Sequence, residues 1–361
     1  MTTANILSQL GSPGVSTGFK NRIINGAMVI DQRNGGASVT VNTDPLYTLD
    51  RWRCAKNGTI NNFTCQQSST APVGFANSMV FTAGTGVTPV STDYAAATTV
   101  IEGYNIADFN WGSANAKTVT VSFWVQSSLT GNFGGSIRSG SGASRSYVFS
   151  YTINTANTWE YKTVTIPGDT GGTYPNTNAA GLSLNFDLGV GPTYSGAVTG
   201  SWVASNLFGL TGGVKLAATT GSTWYVTGVQ LEVGTTATNF DVRSYGTELA
   251  LCQRYCYKVS STSSYTRYGN GANPTGSTSD PIVFFPTAMR APPSLTIPAV
   301  SQFALYGGTS IIPCQSLTLD TATLINASLY VTVNSGLTAG GCSDLMANNN
   351  TTSYLLFSAE L

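Results

Sequence analysis

The pattern of apolar and polar positions changes period at one place in the chain. Over Trp224–Val233, residues Tyr225, Thr227, Val229, Leu231 and Val233 alternate with Trp224, Val226, Gly228, Gln230 and Glu232. One set is mostly apolar and the other mixed, which is the period of a half-buried strand. Gly234 and a Thr/Asn-rich run end it. From Thr247 the spacing becomes helical: Leu249, Cys252, Cys256 and Val259 follow Gly246 and Thr247. The change predicts a β-domain closing near residue 240 and a helix over 247–258 leading into a second domain.

Upstream, alternating or apolar runs predict strands at 79–82, 98–102, 119–127, 146–153, 159–166 and 182–188. Ile23 and Ile24 precede an Asn25-Gly26 turn signal, and Met28, Ile30 and Gln32 alternate after it. Turns rich in Gly, Pro, Asn and Asp separate the runs. Many strands without a convincing helix predict a β-sandwich or jelly roll over 20–240. A linker with the helix occupies 241–259, and a smaller β-domain 260–361, with strands at 281–285, 322–325, 328–334 and 353–358. Pro292 and Pro293 break any helix or central strand there. The fold class is therefore all-β: an N-terminal jelly-roll β-sandwich, a short linking helix and a smaller C-terminal β-domain. Residues 1–19 are small and polar around one apolar patch, Ile6, Leu7 and Leu10, as in an arm that orders on a partner.

Composition narrows the partners. Charged residues make up only 9%, with 16 Lys+Arg against 16 Asp+Glu, and apolar residues 41%. A neutral surface rich in hydroxyls and amides gives no electrostatic drive toward nucleic acid or an anionic membrane. No apolar run is long enough to insert into a bilayer. No basic residue precedes Lys20, unlike a secretory signal. The cysteines form no CxxC pair and are expected as buried thiols. With no histidine in the chain, Ser-His-Asp and Cys-His catalysis and the common zinc sites are excluded, and no cofactor is expected.

Several segments carry a resemblance. Gln230-Leu231-Glu232, Gly234 and Arg243 through Tyr255 resemble a segment of bacteriophage tail-fibre and appendage proteins, in which a strand ending in QLE-G precedes RSYG-ELALCQRYY. Cys256 stands where a second aromatic is common. NRIINGAMVIDQRN (21–34), YTLDRW (47–52) and FPTAMRAPP (285–293) resemble the same proteins. The opening NGAM and closing QLE segments also resemble the ends of carbohydrate-binding jelly rolls. Such modules often hold a structural calcium through an acidic residue just before the last strand; Thr227-Gly228 occupies that place, so no metal is expected.

The resemblance implies a structural and binding component of a tailed-phage virion, made in the host cytoplasm. A tail fibre or tail appendage contributing to attachment to a host-surface glycan comes first. The alternatives are a capsid-side head fibre or decoration protein, and a polysaccharide-degrading tailspike. The implied partners are other virion proteins of tail or capsid, a host glycan, and the chain itself as a homotrimer.

Glycan binding needs an aromatic ring for the sugar face and amides or carboxylates for its hydroxyls. Along 118–126, Val119, Val121, Phe123 and Val125 take the core face, so Trp124 points outward with Gln126. Along 182–188, Asn185 and Asp187 point outward. Trp159 is expected in the core. Glu160 and Asp187 lie within strands and could share a face as a hydrolytic carboxylate pair. Leu249, Cys252, Cys256 and Val259 form a narrow apolar stripe suited to a threefold helix contact.

Overall fold

The computed structural model describes residues 19–60, 62–140 and 145–361. Ile6, Leu7 and Leu10 lie outside them. The chain divides into two compact units. The first comprises 19–29, 39–46 and 53–243; the second comprises Ile30–Ser38, Tyr47–Trp52 and Ser244–Leu361. The divide falls at Arg243 and Ser244, and 30–38 and 47–52, expected in the first domain, belong to the second.

The strands up to the divide are β1 (Val39–Thr40), β2 (Leu46–Leu49), β3 (Trp52–Asn57), β4 (Phe63–Ser68), β5 (Ser78–Ala83), β6 (Tyr94–Glu102), β7 (Val119–Ser127), β8 (Gly131–Ser139), β9 (Ser146–Ile153), β10 (Glu160–Ile166), β11 (Ala180–Val190), β12 (Ser195–Gly196), β13 (Gly209–Leu210) and β14 (Thr223–Val233). Those of the first unit build a jelly-roll sandwich. One sheet runs β1-β4-β5-β14-β7-β10, and strands of the other run β3-β6-β11-β8-β9. Val121, Phe123, Val125 and Trp224 of the first sheet meet Phe133, Tyr151 and Phe186 of the second, all nearly or fully buried. Phe186 lies edge-on to Phe123 at 4.9 Å, and Trp224 Nε1 donates to Tyr151 Oη at 3.1 Å. Burying each such ring contributes roughly 1.5–3 kcal/mol, and the Trp–Tyr bond removes the polar cost of placing them inside.

The closing strand β14 departs from a single alternation. Trp224 and Val226 face the core, and so do Val229 and Leu231. Between them the register with β7 slips from Thr227↔Trp124 to Gln230↔Ser122, one extra residue on β14. Gly228 supplies the left-handed conformation this bulge needs, at φ +61°. Beside the bulge, residues 21–26 lie along β14: Arg22 N donates to Leu231 O, Val229 N to Gly26 O, and Leu231 N to Asn21 Oδ1. Asn25-Gly26 is a turn as predicted, but the alternating residues after it form no strand.

The second unit begins with a helix, α1 (Tyr245–Gln253), followed by β15 (Cys256–Ser260), β16 (Arg267–Thr275), β17 (Thr278–Phe284), β18 (Ser294–Thr296), β19 (Phe303–Tyr306), β20 (Ile311–Ala322), β21 (Asn326–Val333), β22 (Cys342–Ala347) and β23 (Tyr354–Ser358). Strands β16-β17-β21-β20-β19-β22 close into a barrel, and β15-β23-β18 form a small sheet. Phe303, Leu305, Leu329, Val331, Leu345 and Phe357 fill its core. Residues 323–325, expected to extend a strand, instead make the turn into β21, where Thr323 Oγ1 accepts from Ile325 N and Asn326 N.

The helical stripe is corrected. The helix stops at Gln253, and Cys256 and Val259 lie in β15, opposite Ser358 and Leu355 of β23. Cys252 and Cys256 are fully buried within this single chain, and Leu249 is partly buried. The four residues therefore share no helical face that a second copy could cover. All six cysteines are unpaired; Cys342 is exposed, against the expectation of burial, and the rest are buried.

Parts of four motif segments meet inside this unit. Asp50, Arg51 and Trp52 are buried. Arg51 pairs with Glu360 and lies 3.6 Å over the Tyr255 ring. Arg33 reaches the other Glu360 oxygen at 3.1 Å, and Gln32 bonds both Asp50 and the Cys256 carbonyl. Arg290 donates to the carbonyls of Ala359 and Glu360 at 2.7 and 2.9 Å. Paired and hydrogen-bonded charges of this kind are what burial demands.

Candidate functional site

The outer face of the β14-β7-β10 sheet carries a cleft of about 480 Å³, lined by Phe75, Ser122, Trp124, Tyr161, Gly228, Ala237, Thr238, Asn239 and Phe240. Strand alternation places its floor. Because Phe123 and Val125 turn inward, Trp124 turns outward, as the sequence predicts, and is half-buried. Tyr161 of β10 and Thr227 of β14 are its direct partners across the sheet. The Trp124 and Tyr161 rings lie 5.4 Å apart, inclined by 48°, and Tyr161 is 43% exposed.

The bulge opens the floor. Gly228 has no side chain where a Cβ would fall 2.6 Å from Phe75 Cζ. Phe75 stands above it and meets Phe240 edge-on at 5.2 Å. One wall is the segment after β14, and the QLE residues hold it. Gln230 and Glu232 share the outer face after the bulge. Glu232 accepts from Thr238 N at 2.8 Å and Thr238 Oγ1 at 2.7 Å; Gln230 Oε1 accepts from Asp241 N at 2.8 Å. Asp241 in turn accepts from the backbone N–H of Lys20 and Asn21. The motif that suggested a family thus folds residues 237–240 back over the sheet, and the wall exists because those carboxylate and amide groups are satisfied.

The same face extends beyond the cleft. Gln126 lies opposite Tyr225 on β14. Trp159, expected in the core, is instead half-buried and meets Tyr225 at 6.1 Å. Among the described residues, Gln126 Oε1 and Thr227 Oγ1 are buried atoms with no hydrogen-bond partner. Trp124 and Gln126, two of the proposed ligand contacts, therefore do share one aromatic face.

Asn185 and Asp187 do not join them. Both turn away from the core, as alternation requires, but they lie on the other sheet and are fully buried. Asn185 accepts from Thr98 Oγ1 at 2.9 Å and donates to Ser136. Asp187 accepts from Leu210 N at 3.1 Å and Lys215 Nζ at 2.5 Å. Burial pushes its carboxyl up, opposed by Lys215. Residues of the 194–215 segment cover this sheet: Phe208 stacks on Tyr94 at 4.3 Å, Arg138 lies 3.8 Å over the Phe208 ring, and Ser146 Oγ donates to Ser205 O at 2.6 Å. Nor does Asp187 pair with Glu160, which stands on the opposite sheet. Glu160 accepts from Asn154 N, Thr155 N, Asn154 Nδ2 and Lys162 Nζ at 2.6–2.9 Å. Partial burial works against its charge, yet these bonds bring it down to about 2. It is a loop anchor.

No metal-binding group of three or more acidic or thiol side chains occurs among the described residues. The sequence signal for Trp124 was clear. Phe75 and Phe240 carried none, because each lies in a loop whose course depends on Gly228 and Glu232.

No protein-family model matches the chain, and no curated protein does. Among solved structures, the chain is similar to the enzymatically active domain of bacteriophage CBA120 tailspike protein 4, at 16% identity and a TM-score of 0.33. That match covers 59% of this chain and 21% of the tailspike chain, so about a fifth of the tailspike structure is spanned. It is similar also to a CBM4 carbohydrate-binding module, at 15% identity and a TM-score of 0.28, covering 58% of this chain and 98% of that one. A family 11 carbohydrate-binding module from Clostridium thermocellum, solved with a β-1,3-1,4-mixed-linked tetrasaccharide, matches at 15% identity and a TM-score of 0.28, covering 57% and 100%.

Proposed function

We propose that the chain is a non-catalytic, glycan-binding component of a tailed-phage virion, a tail fibre or tail appendage contributing to host-surface attachment. The observation that carries the binding role is Trp124, held half-exposed between Tyr161, Phe75 and Phe240 over a glycine floor. An aromatic cleft rimmed by Ser122, Thr238 and Asn239 offers ring faces to the C–H face of a sugar and hydroxyl or amide groups to its edge. The virion role is supported by the resemblance of residues 21–34, 47–52, 230–255 and 285–293 to tail-fibre sequences, and it carries the further expectation of a homotrimer.

Purified protein is expected to bind host-surface polysaccharide, and Trp124→Ala to lose that binding with its circular dichroism unchanged. Equal binding by the variant would remove the cleft from the reading. New reducing ends released from the polysaccharide would make the chain a degrading tailspike. Antibody-labelled electron microscopy of virions is expected to mark the tail; label on the capsid would reassign it as a head fibre or decoration protein. Light scattering showing a stable 37.6 kDa monomer would count against the trimer.

A further inference from the structure

The aromatic surface does not stop at the cleft. On β7, Trp124 and Gln126 are successive outward residues, about 7 Å apart along the strand. Trp124 is flanked across the sheet by Tyr161, and Gln126 by Tyr225, with Trp159 two residues before Tyr161 on the same side. Trp159 and Tyr225 meet edge-on at 70°. Two aromatic pairs therefore follow one another along the outer face, one around Trp124 and one around Gln126. The second pair was given no ligand role by the cleft alone, which does not include it.

Taking the cleft as a glycan site, we infer that Trp159 and Tyr225 form a second sugar subsite, so that the ligand is a neutral, single-chain oligosaccharide spanning both pairs. Three features set this chemistry. The spacing of the two pairs is comparable to the length of one sugar ring, so adjacent residues of one glycan can engage both. The 48° inclination of Trp124 to Tyr161 prevents both rings from lying flat against one crystalline polysaccharide surface, whereas a twisted single chain presents its rings at differing angles. None of the described residues lining the cleft is charged. The nearby acids Glu232 and Asp241 are consumed in holding the wall and the opening segment. Lys20 Nζ, the ammonium at the rim, is bonded to Thr238 Oγ1 at 2.9 Å beside the Glu232 carboxylate, so a uronic acid or a sulfated sugar would lose its hydration against a cation already engaged in the wall.

The test is affinity electrophoresis of the full chain through gels containing a neutral polymer (mixed-linkage β-glucan, β-1,4-galactan or galactomannan) or an anionic one (alginate or polygalacturonate). Isothermal titration then uses the monosaccharide and tetrasaccharide of whichever polymer retards it. Retardation by a neutral polymer is expected. Trp124→Ala should abolish binding of both sugars. A Trp159→Ala/Tyr225→Ala variant should bind the tetrasaccharide at least tenfold more weakly and the monosaccharide as before. Both replaced rings are partly exposed, and circular dichroism checks that the variant is folded. Unchanged tetrasaccharide affinity in the double variant overturns the second subsite while leaving the cleft standing. Retardation by the anionic polymers alone overturns the neutral ligand. Retardation by none of the polymers overturns the glycan reading itself, and the second subsite with it.

Discussion

Gly228 and Trp124 sit against each other across the β7–β14 pair: a Cβ added to the glycine would fall 3.2 Å from Trp124 Cδ1. The same added carbon would meet Phe75 Cζ at 2.6 Å. A single glycine thus sets both the floor of the cleft and the position of two of its rings. Gly228→Ala must hold a side chain at φ +61°, which costs roughly 1–2 kcal/mol, and must also push Phe75 away from Phe240. The expected outcome is an unfolding free energy, read from urea denaturation, lowered by that amount, together with loss of glycan binding. A variant that loses stability but binds as before would show that Phe75 is not part of the site.

The wall gives a second prediction. Glu232 is buried and takes two hydrogen bonds from Thr238. Glu232→Ala removes the acceptor of those donors and frees residues 235–240, while β14 keeps its ladder with β7. Hydrogen exchange is expected to rise over 235–241 and remain low over 223–231. The loss in stability should be about 0.5–1.5 kcal/mol for each bond lost, because Thr238 is exposed and water takes up its donors.

These two residues mark where the sequence was legible and where it was not. Strands β7 and β9 end where alternation ends, because one side of each stays on the core throughout. In β14 the sequence shows one alternation with a single phase, whereas the bulge at Gly228 reverses it: Trp224 and Val226, of the mixed set, face the core together with Val229 and Leu231. Strand β8 was missed because its glycines mask any pattern. Gly134 and Gly135 are there since a Cβ would strike Leu210 and Phe149 at 2.3 and 2.4 Å, a tertiary reason. Asn185 and Asp187 were assigned the correct side of their strand, but alternation says nothing about a distant segment that covers that side. Cys256 fell one helical turn after Cys252 by coincidence; its backbone bonds go to β23.

A third prediction concerns pH. Burial, opposed by Gln32 and Arg33, pushes the Asp50 carboxyl up from 3.8 to about 6. An acid whose folded value exceeds its unfolded value costs stability once both forms are ionised. The cost is therefore fully present above pH 6 and is relieved as pH falls through 6 toward 4. A shift of this size corresponds to about 3 kcal/mol. Asp50 lies in the second unit, so the barrel's unfolding transition should move to higher temperature between pH 7 and pH 5. Asp50→Asn should flatten that slope. A wild-type barrel whose melting temperature falls over the same interval would contradict the assignment.

Glu160 should act in the opposite direction in the sandwich. Its folded value, about 2, lies below the ordinary 4.5, so the bonds from Lys162, Asn154 and Thr155 stabilise the fold above about pH 4.5 and are lost as pH falls toward 2. Glu160→Gln should reduce stability at pH 7, converging with the parent near pH 2. Chemical denaturation at the two pH values checks this, and a constant difference would mean that the carboxylate contributes through packing alone.

The last prediction follows from Arg51. Its guanidinium is buried against the Tyr255 ring, and Glu360 is the carboxylate that neutralises it while also reaching Arg33. Replacing Glu360 with Gln keeps the shape and removes the charge. Buried Arg51 and half-buried Arg33 then lose the carboxylate they share, and breaking a buried pair in this way costs about 3–5 kcal/mol. That is a large fraction of a typical domain's whole stability. The barrel is expected to melt far below the sandwich in Glu360→Gln, giving two separate calorimetric transitions. Arg51→Met with Glu360→Met removes both buried partners and leaves apolar volume. It should recover the part of the loss that comes from Arg51 and leave the part that comes from Arg33, because the penalty lies in a buried charge deprived of its counter-charge and not in the missing attraction. If the double variant is no more stable than Glu360→Gln, the pair is holding the fold through its geometry, and the electrostatic account of this cluster fails.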